Sequence, residues 1–302
     1  MRLAVTGATG FVGGAVCRAV EREGWSVLAL GRRGGADVRW DITDGPLPDP
    51  PRVDAVVHCA GSVSDTADRR AQWRANVEGT ANVLASFPGA RFVHVSTASV
   101  YDPRRPTVLA TEDLAPVARY PDAYGASKAA AERLVRDRRP DAVVLRPHAV
   151  YGPGDTTLLP RVLGAVRRGA LVAVGDGTQR VSLTSVANLV RACLLAARGD
   201  ARGVFNVTDD APVLLADALA AVLAERGVAA RVRFVPLALA WPLACAAEVA
   251  HRWRGPADAG PPRLTRYAVT HLARERTLDI TAARTVLGYR PTPTSFAGAA
   301  SW

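Results

Sequence analysis

Arg2-Leu3-Ala4-Val5-Thr6-Gly7-Ala8-Thr9-Gly10-Phe11-Val12-Gly13 opens the chain. A short apolar strand runs directly into three glycines spaced three apart (Gly7, Gly10, Gly13). Phe11, Val12, Ala15, Val16 and Ala19 then recur at helical spacing up to Gly24. Strand, glycine turn and helix in that order form a pyrophosphate cradle. The first glycine lets the chain turn tightly, the second lets backbone approach phosphates, and the third lets helix and strand pack closely. The helix N-terminus then faces the anion. Outward from this unit, a second strand, Ser26–Leu30, leads into Gly31-Arg32-Arg33. An NAD-selective site usually offers a carboxylate there to grip the ribose hydroxyls. Two guanidiniums instead favour a 2′-phosphate, so NADP(H) is expected over NAD(H). Arginine is common in this chain, and solvated surface arginines are the alternative reading.

Further apolar, β-branched runs occur at Asp54–His58, Arg91–Ser96 and Ala142–Arg146, with helical stretches at Trp73–Ser86 and Ala126–Arg136 between them. Strands that are apolar almost throughout and alternate with helices predict an α/β fold: a Rossmann-type, doubly wound parallel sheet covered on both faces. After Tyr151-Gly152-Pro153-Gly154 the pattern loosens. A turn-rich segment with Gly175-Asp176-Gly177 precedes a helix, Val186–Ala197, and a strand, Val204–Val207. The expected division is a nucleotide-binding domain of residues 1–157 with 181–207, and a smaller C-terminal substrate domain of 158–180 with 208–302.

The formal net charge is +10, but the basic residues are spread as singles and pairs without interleaved aromatics. That distribution speaks against a nucleic-acid partner and for an anionic cofactor with a small-molecule substrate. The four cysteines, Cys17, Cys59, Cys193 and Cys245, form no Cys-x-x-Cys pair. Their scatter argues against a metal site or disulfide framework and for a reducing, cytoplasmic setting. Met1-Arg2 runs straight into the first strand, which leaves no room for a signal peptide. The apolar run Phe234–Ala247 contains Pro236 and Pro242 and is too short and broken to span a bilayer. It is expected as a buried helix of the second domain, the alternatives being an apolar lid or a membrane-touching surface.

Of 38 Lys and Arg residues only one is lysine, Lys128, and it lies four positions after Tyr124 in Tyr-Gly-Ala-Ser-Lys. Where a surface cation suffices, this chain uses arginine, so the lysine marks a place that needs a compact ammonium. Positions i and i+4 share a helix face, and a nearby cation should bring a tyrosine down from its usual pKa of ~10 toward neutrality. Such a phenol can shuttle a proton.

These residues together resemble the extended branch of the short-chain dehydrogenase/reductase superfamily, the epimerase/dehydratase group, over almost the whole chain. Gly7, Thr9, Gly10, Phe11 and Val12 are similar to its cofactor loop, and Asp41-Ile42 to the acid–apolar pair that holds the adenine. His58-Cys59-Ala60-Gly61 resembles the loop after the fourth strand, and Asn76 the asparagine of the next helix. Val95-Ser96-Thr97-Ala98-Ser99-Val100-Tyr101 resembles the strand end with the catalytic Ser or Thr, here Thr97. Tyr124 and Lys128 match Tyr-x-x-x-Lys, and the segment from Arg146-Pro147 to Gly152-Pro153 resembles the nicotinamide wall. The resemblance implies Tyr124 as acid or base, Thr97 as hydrogen-bond donor to the same substrate oxygen, and Lys128 on the ribose hydroxyls, with no metal.

Departures from the family pattern narrow the expectation. Ala98-Ser99 stand where sugar dehydratases carry Asp-Glu. Ala149 occupies the register of an asparagine typical of nucleotide-sugar enzymes, and Arg180 is one residue out of register with a diphosphate-binding arginine. Sterol-dehydrogenase-like and ketone-reductase-like members are closer in character. The leading expectation is an NADP-dependent oxidoreductase acting on a secondary alcohol or ketone of a largely apolar molecule. A nucleotide-sugar epimerase or reductase, and a non-catalytic NADPH-binding sensor, stand as alternatives. Family members often dimerise through the helices around Trp73–Ser86 and Ala126–Arg136, so a homodimer is a further expectation.

Overall fold

The protein is described here by a computed structural model, which covers residues 1–63, 68–254, 269 and 273–302. Seven parallel strands form the main sheet: β1 (Arg2–Thr6), β2 (Ser26–Gly31), β3 (Val38–Arg39), β4 (Ala55–His58), β5 (Arg91–Val95), β6 (Val143–Pro147) and β7 (Gly203–Val207). Their spatial order is β3-β2-β1-β4-β5-β6-β7. Successive residues of a strand point to opposite faces, and here both faces are covered. Leu3, Val5, Val57, Val93 and Leu145 pack on one side with Val16 and Ala19 of α1 (Phe11–Arg22). Ala4, Val56, Phe92 and Val144 pack on the other side with Val83 and Val135. The doubly wound sheet expected from the alternating pattern is therefore present.

The second layer contains α2 (Arg69–Trp73), α3 (Gly79–Ser86) and α4 (Ala123–Arg138). The stretch expected as one helix over Trp73–Ser86 begins at Arg69 and is interrupted by a π-helical turn at Arg74–Glu78. Helix α4 begins at Ala123 rather than Ala126, because the Asp122 side chain accepts the Gly125 amide at 2.7 Å and caps the helix. Tyr124 thereby falls in the first turn and Lys128 in the next.

Beyond the main sheet lie α5 (Leu158–Gly164), α6 (Val186–Arg198), α7 (Leu215–Glu225), α8 (Leu237–Arg254) and α9 (Thr281–Val286), of which α6 and α9 pack back onto the main sheet. Short strands form a sheet of Arg231–Val235, Ala170–Val174 and Val166–Arg167 and another of Val213–Leu214, Arg180–Val181, Arg276–Leu278 and Thr107–Ala110. Tyr151, Leu159, Val181, Leu215, Val222 and Phe296 gather into a core of their own.

The run Phe234–Ala247 is not a buried helix. Phe234 and Val235 end a strand, and α8 starts after Pro236. Ala240 and Ala244 pack against Val174, whereas Leu239, Trp241 and Leu243 are 61%, 43% and 61% exposed. Leu237 packs there as well, but the next large side chains, Leu239, Trp241 and Leu243, are left outside. No helix among the described residues is long and apolar enough to cross a membrane.

Where α4 crosses β6, Glu132 and Arg146 form an ion pair at 2.8 Å with neither side chain exposed. The Ser96 hydroxyl donates to the same carboxylate, and Arg146 also donates to the Glu112 and Ala115 carbonyls at 2.7 and 2.9 Å. Replacing Glu132 by Ala would leave a buried guanidinium unpaired. We expect a loss of about 3–5 kcal/mol in folding stability, to be checked by denaturant unfolding against wild type.

Candidate active site

The site lies along the C-terminal ends of β1, β4, β5 and β6, where open α/β sheets bind ligands. Gly7 has φ +68°, and a Cβ there would come within 2.9 Å of the Ala60 nitrogen. A Cβ on Gly13 would meet the Gly7 carbonyl at 2.2 Å, so helix and strand approach as closely as glycine permits. No side chain caps α1 and no acid sits in its first turn, which leaves its N-terminal amides for an anion. The cradle therefore fits a dinucleotide pyrophosphate. Phe11 and Val12 begin α1, Thr9 packs against Gly31 at the end of β2, and Ala60, Gly61 and Ser62 face Gly7 and Asn76 from the loop after β4.

At the far end of that cradle, Arg32 is exposed and reaches Asp41 at 3.4 Å. Burial works against the Asp41 carboxylate, but the Thr43 amide and hydroxyl and the Arg32 guanidinium hold its pKa below the usual range. Ile42 is buried against Gly79, and Arg33 is exposed on the loop.

Thr97 follows β5 in extended conformation and caps a short turn, its Oγ1 accepting the Ser99 amide at 3.1 Å. The Thr97 hydroxyl donates to Ser99 Oγ at 3.2 Å and stands near enough to the Tyr124 phenol to draw its pKa down. Lys128, only 6% exposed, donates to the Val95 carbonyl at 2.8 Å. Thr97 thus meets Tyr124 and Lys128, which lie well beyond it in the chain, at one strand end. Pro147, the last residue of β6, is buried beside them in the sheet.

The expected lowering of the Tyr124 pKa by Lys128 is not what this arrangement produces. Burial pushes the phenol above its ordinary value, the Thr97 hydroxyl offsets part of that, and the Asp122 carboxylate adds to the rise. The ammonium is spent on Val95 instead. Burial also depresses Lys128 to about 8, although Glu132 and Cys59 oppose the shift.

Ser62, Ser127 and Glu132 support the site and were not singled out from sequence. Asn76 exchanges two hydrogen bonds with Ser62 (2.7 and 3.1 Å) and donates to Ser127 Oγ at 2.9 Å. Ser127 Oγ in turn donates to the Tyr124 carbonyl at 2.9 Å. The i+4 spacing of Lys128 and Glu132 could have drawn notice to Glu132; Ser127 offered no comparable signal. His148 is held by the chain itself. It pairs with the Ser182 carbonyl at 2.6 Å, and burial lowers it to about 4. Arg180 is exposed and donates to the Pro212 carbonyl at 2.7 Å.

Residues 3–208 match the model of the NAD dependent epimerase/dehydratase family. A 2-alkyl-3-oxoalkanoate reductase of Stenotrophomonas maltophilia is 34% identical over 210 residues, 64% of this chain and 64% of that protein. A ceramide reductase of Caulobacter vibrioides is 32% identical over 209 residues, 63% of this chain and 60% of that protein. In both cases the match spans less than two thirds of the relative's length. Among solved structures, MoeE5 in complex with UDP-glucuronic acid and NAD is 25% identical, with a TM-score of 0.71 over 98% of this chain and 95% of its own. Glycine cradle, sheet order and the match over most of the sheet agree, and the chain belongs to the NAD dependent epimerase/dehydratase family.

Proposed function

We infer that the protein is an NADP(H)-preferring oxidoreductase that interconverts a ketone and a secondary alcohol on a largely apolar small molecule. The observation that carries this reading is the meeting of Thr97, Tyr124 and Lys128 at the end of β5, where Lys128 donates to Val95, at the same sheet edge as the glycine cradle. In this reading Gly7–Val12 hold the pyrophosphate, and Asp41 and Ile42 hold the adenine. Arg32 and Arg33 take the 2′-phosphate, and Ala60, Gly61, Asn76 and Pro147 line the rest. The nicotinamide, when bound, supplies the hydride chemistry.

The chain's own residues move the proton. Tyr124 donates its hydroxyl proton to the substrate carbonyl oxygen, or takes one from the alcohol in reverse, and Thr97 hydrogen-bonds the same oxygen. A phenol raised by burial stays protonated through neutral pH and suits the acid's role. Lys128 serves the ribose hydroxyls. Residues 158–180 with 208–302 form the substrate-binding unit, and a homodimer belongs to the same reading. Ala98-Ser99 offer no carboxylate for eliminating water. The names of two relatives, for a 2-alkyl-3-oxoalkanoate and for ceramide, support an apolar substrate. The whole-chain likeness to a UDP-glucuronic acid complex supports a second reading, a nucleotide-sugar enzyme. A panel of ketones and sugar nucleotides assayed with NADPH and NADH separates the two; turnover confined to sugar nucleotides would sink the first.

Replacing Tyr124 by Phe should cut turnover by about 10²–10⁴-fold while cofactor affinity, measured by titration calorimetry, stays near wild type. Ketone reduction should decline as pH rises past about 8, because Lys128 loses its charge there and Tyr124 its proton at still higher pH. Alcohol oxidation by the same enzyme should gain from Tyr124 ionisation, a contrast that pH–rate profiles in both directions would reveal. Changing Arg32 and Arg33 together to Ala should weaken NADPH binding by roughly tenfold or more and leave NADH binding nearly unchanged.

A further inference from the structure

His58 ends β4 with no exposed surface, and the reaction described above leaves it without a part. Its ring bridges two threonines. Nδ1 lies 2.7 Å from Thr6 Oγ1 on β1, and Nε2 lies 2.9 Å from Thr80 Oγ1 on α3. Thr80 has one hydroxyl proton, and it is committed to the Asn76 carbonyl at 2.6 Å. Toward His58 that oxygen can only accept, so Nε2 carries the ring proton. Nδ1 then accepts from Thr6, whose Oγ1 in turn accepts the Ala60 amide at 3.2 Å. Every hydrogen-bonding position of the imidazole is used, and all four residues other than Ala60 are at most 2% exposed.

The far end of this bridge is the π-helical turn. Asn76 lies within it, and an extra residue in a turn changes the helical phase by about 100° per residue. With that phase the Asn76 amide faces both Ser62 in the loop after β4 and Ser127 under Tyr124. Without it the amide would swing off both. We propose that His58 is a positioning residue: locked as its neutral Nε2–H tautomer, it holds Thr80 against the Asn76 carbonyl and keeps the π turn in phase. The cofactor loop and the first turn of α4 are thereby set at one fixed separation. Its kinetic consequence rests on the oxidoreductase reading; its tautomer does not.

The charged and titratable groups that face the ring are Lys128 and His94, whose ring centroid is 5.3 Å away. Burial and the Lys128 charge keep His58 neutral, at about 3. The test uses the full chain with Thr80→Val, which removes the hydroxyl, and Thr80→Ser, which retains it. Nitrogen-15 NMR of wild-type His58 should give the Nε2–H tautomer with no titration between about pH 5 and 9. Turnover should fall about tenfold or more in Thr80→Val, with cofactor dissociation constant within about threefold, and return in Thr80→Ser. An Nδ1–H tautomer, a ring that titrates in that range, wild-type turnover in Thr80→Val, or equal losses in both variants would each overturn the proposal. If Thr80→Val does not fold, the wild-type tautomer and the Thr80→Ser rate decide. If wild type itself turns over no ketone, alcohol or sugar nucleotide, the enzyme reading fails while the NMR result still judges the bridge.

Discussion

Glu132 and Arg146 meet inside the protein with no exposed side-chain surface. Each ion gives up several kcal/mol of hydration there, and attraction offsets that only if the remaining donors and acceptors are filled. They are filled by Ser96 after β5 and by Glu112 and Ala115 in a connecting segment, so that pair and partners together join four separate places, α4 contributing Glu132 and β6 Arg146. A partly docked arrangement would leave a buried charge uncompensated. The pair therefore tolerates one relative placement of β5, α4 and β6. Thr97 adjoins Ser96, and Tyr124 and Lys128 share α4 with Glu132. The spacing of the candidate catalytic set follows from the same constraint.

Protonation states around this junction follow from burial. His58, His94 and His148 are pushed toward the neutral form, chiefly by desolvation, and Tyr124 is held protonated by the same cause. Lys128 is the one group in this cluster brought close to the neutral range from above. Its ammonium donates to the Val95 carbonyl, and the Glu132 carboxylate and Cys59 thiol are near enough to act on its charge. Arginine is no equivalent there, since its larger planar guanidinium keeps its charge at every working pH.

Legibility varied with the range of the interaction. The cradle Gly7–Gly13 could be read because its geometry is set by neighbours in sequence: a turn, a close approach and a helix start. Strand and helix order could be read because each strand is apolar on both faces. Tyr124 and Lys128 could be paired because four residues make one helical turn. The start of α4 was misjudged because the Asp122 cap outweighs Gly125 in the first turn. The run from Phe234 was misjudged because apolarity alone does not say which face finds a partner; Ala240 and Ala244 found one and Leu239, Trp241 and Leu243 did not.

Composition and local spacing by themselves determined the α/β class, the phosphate-binding turn and the Tyr124–Lys128 pair; Thr97 was legible only through the resemblance to a family. Tertiary structure alone decided where the lysine's proton-rich end is spent, which way the tyrosine's acidity moves and which carboxylate balances Arg146. It also decided that a π turn carries Asn76. Acidity and ion pairing depend on which distant segments exclude water from a group, and a π turn depends on what its side chains can reach. Neither is encoded in a residue's immediate neighbours.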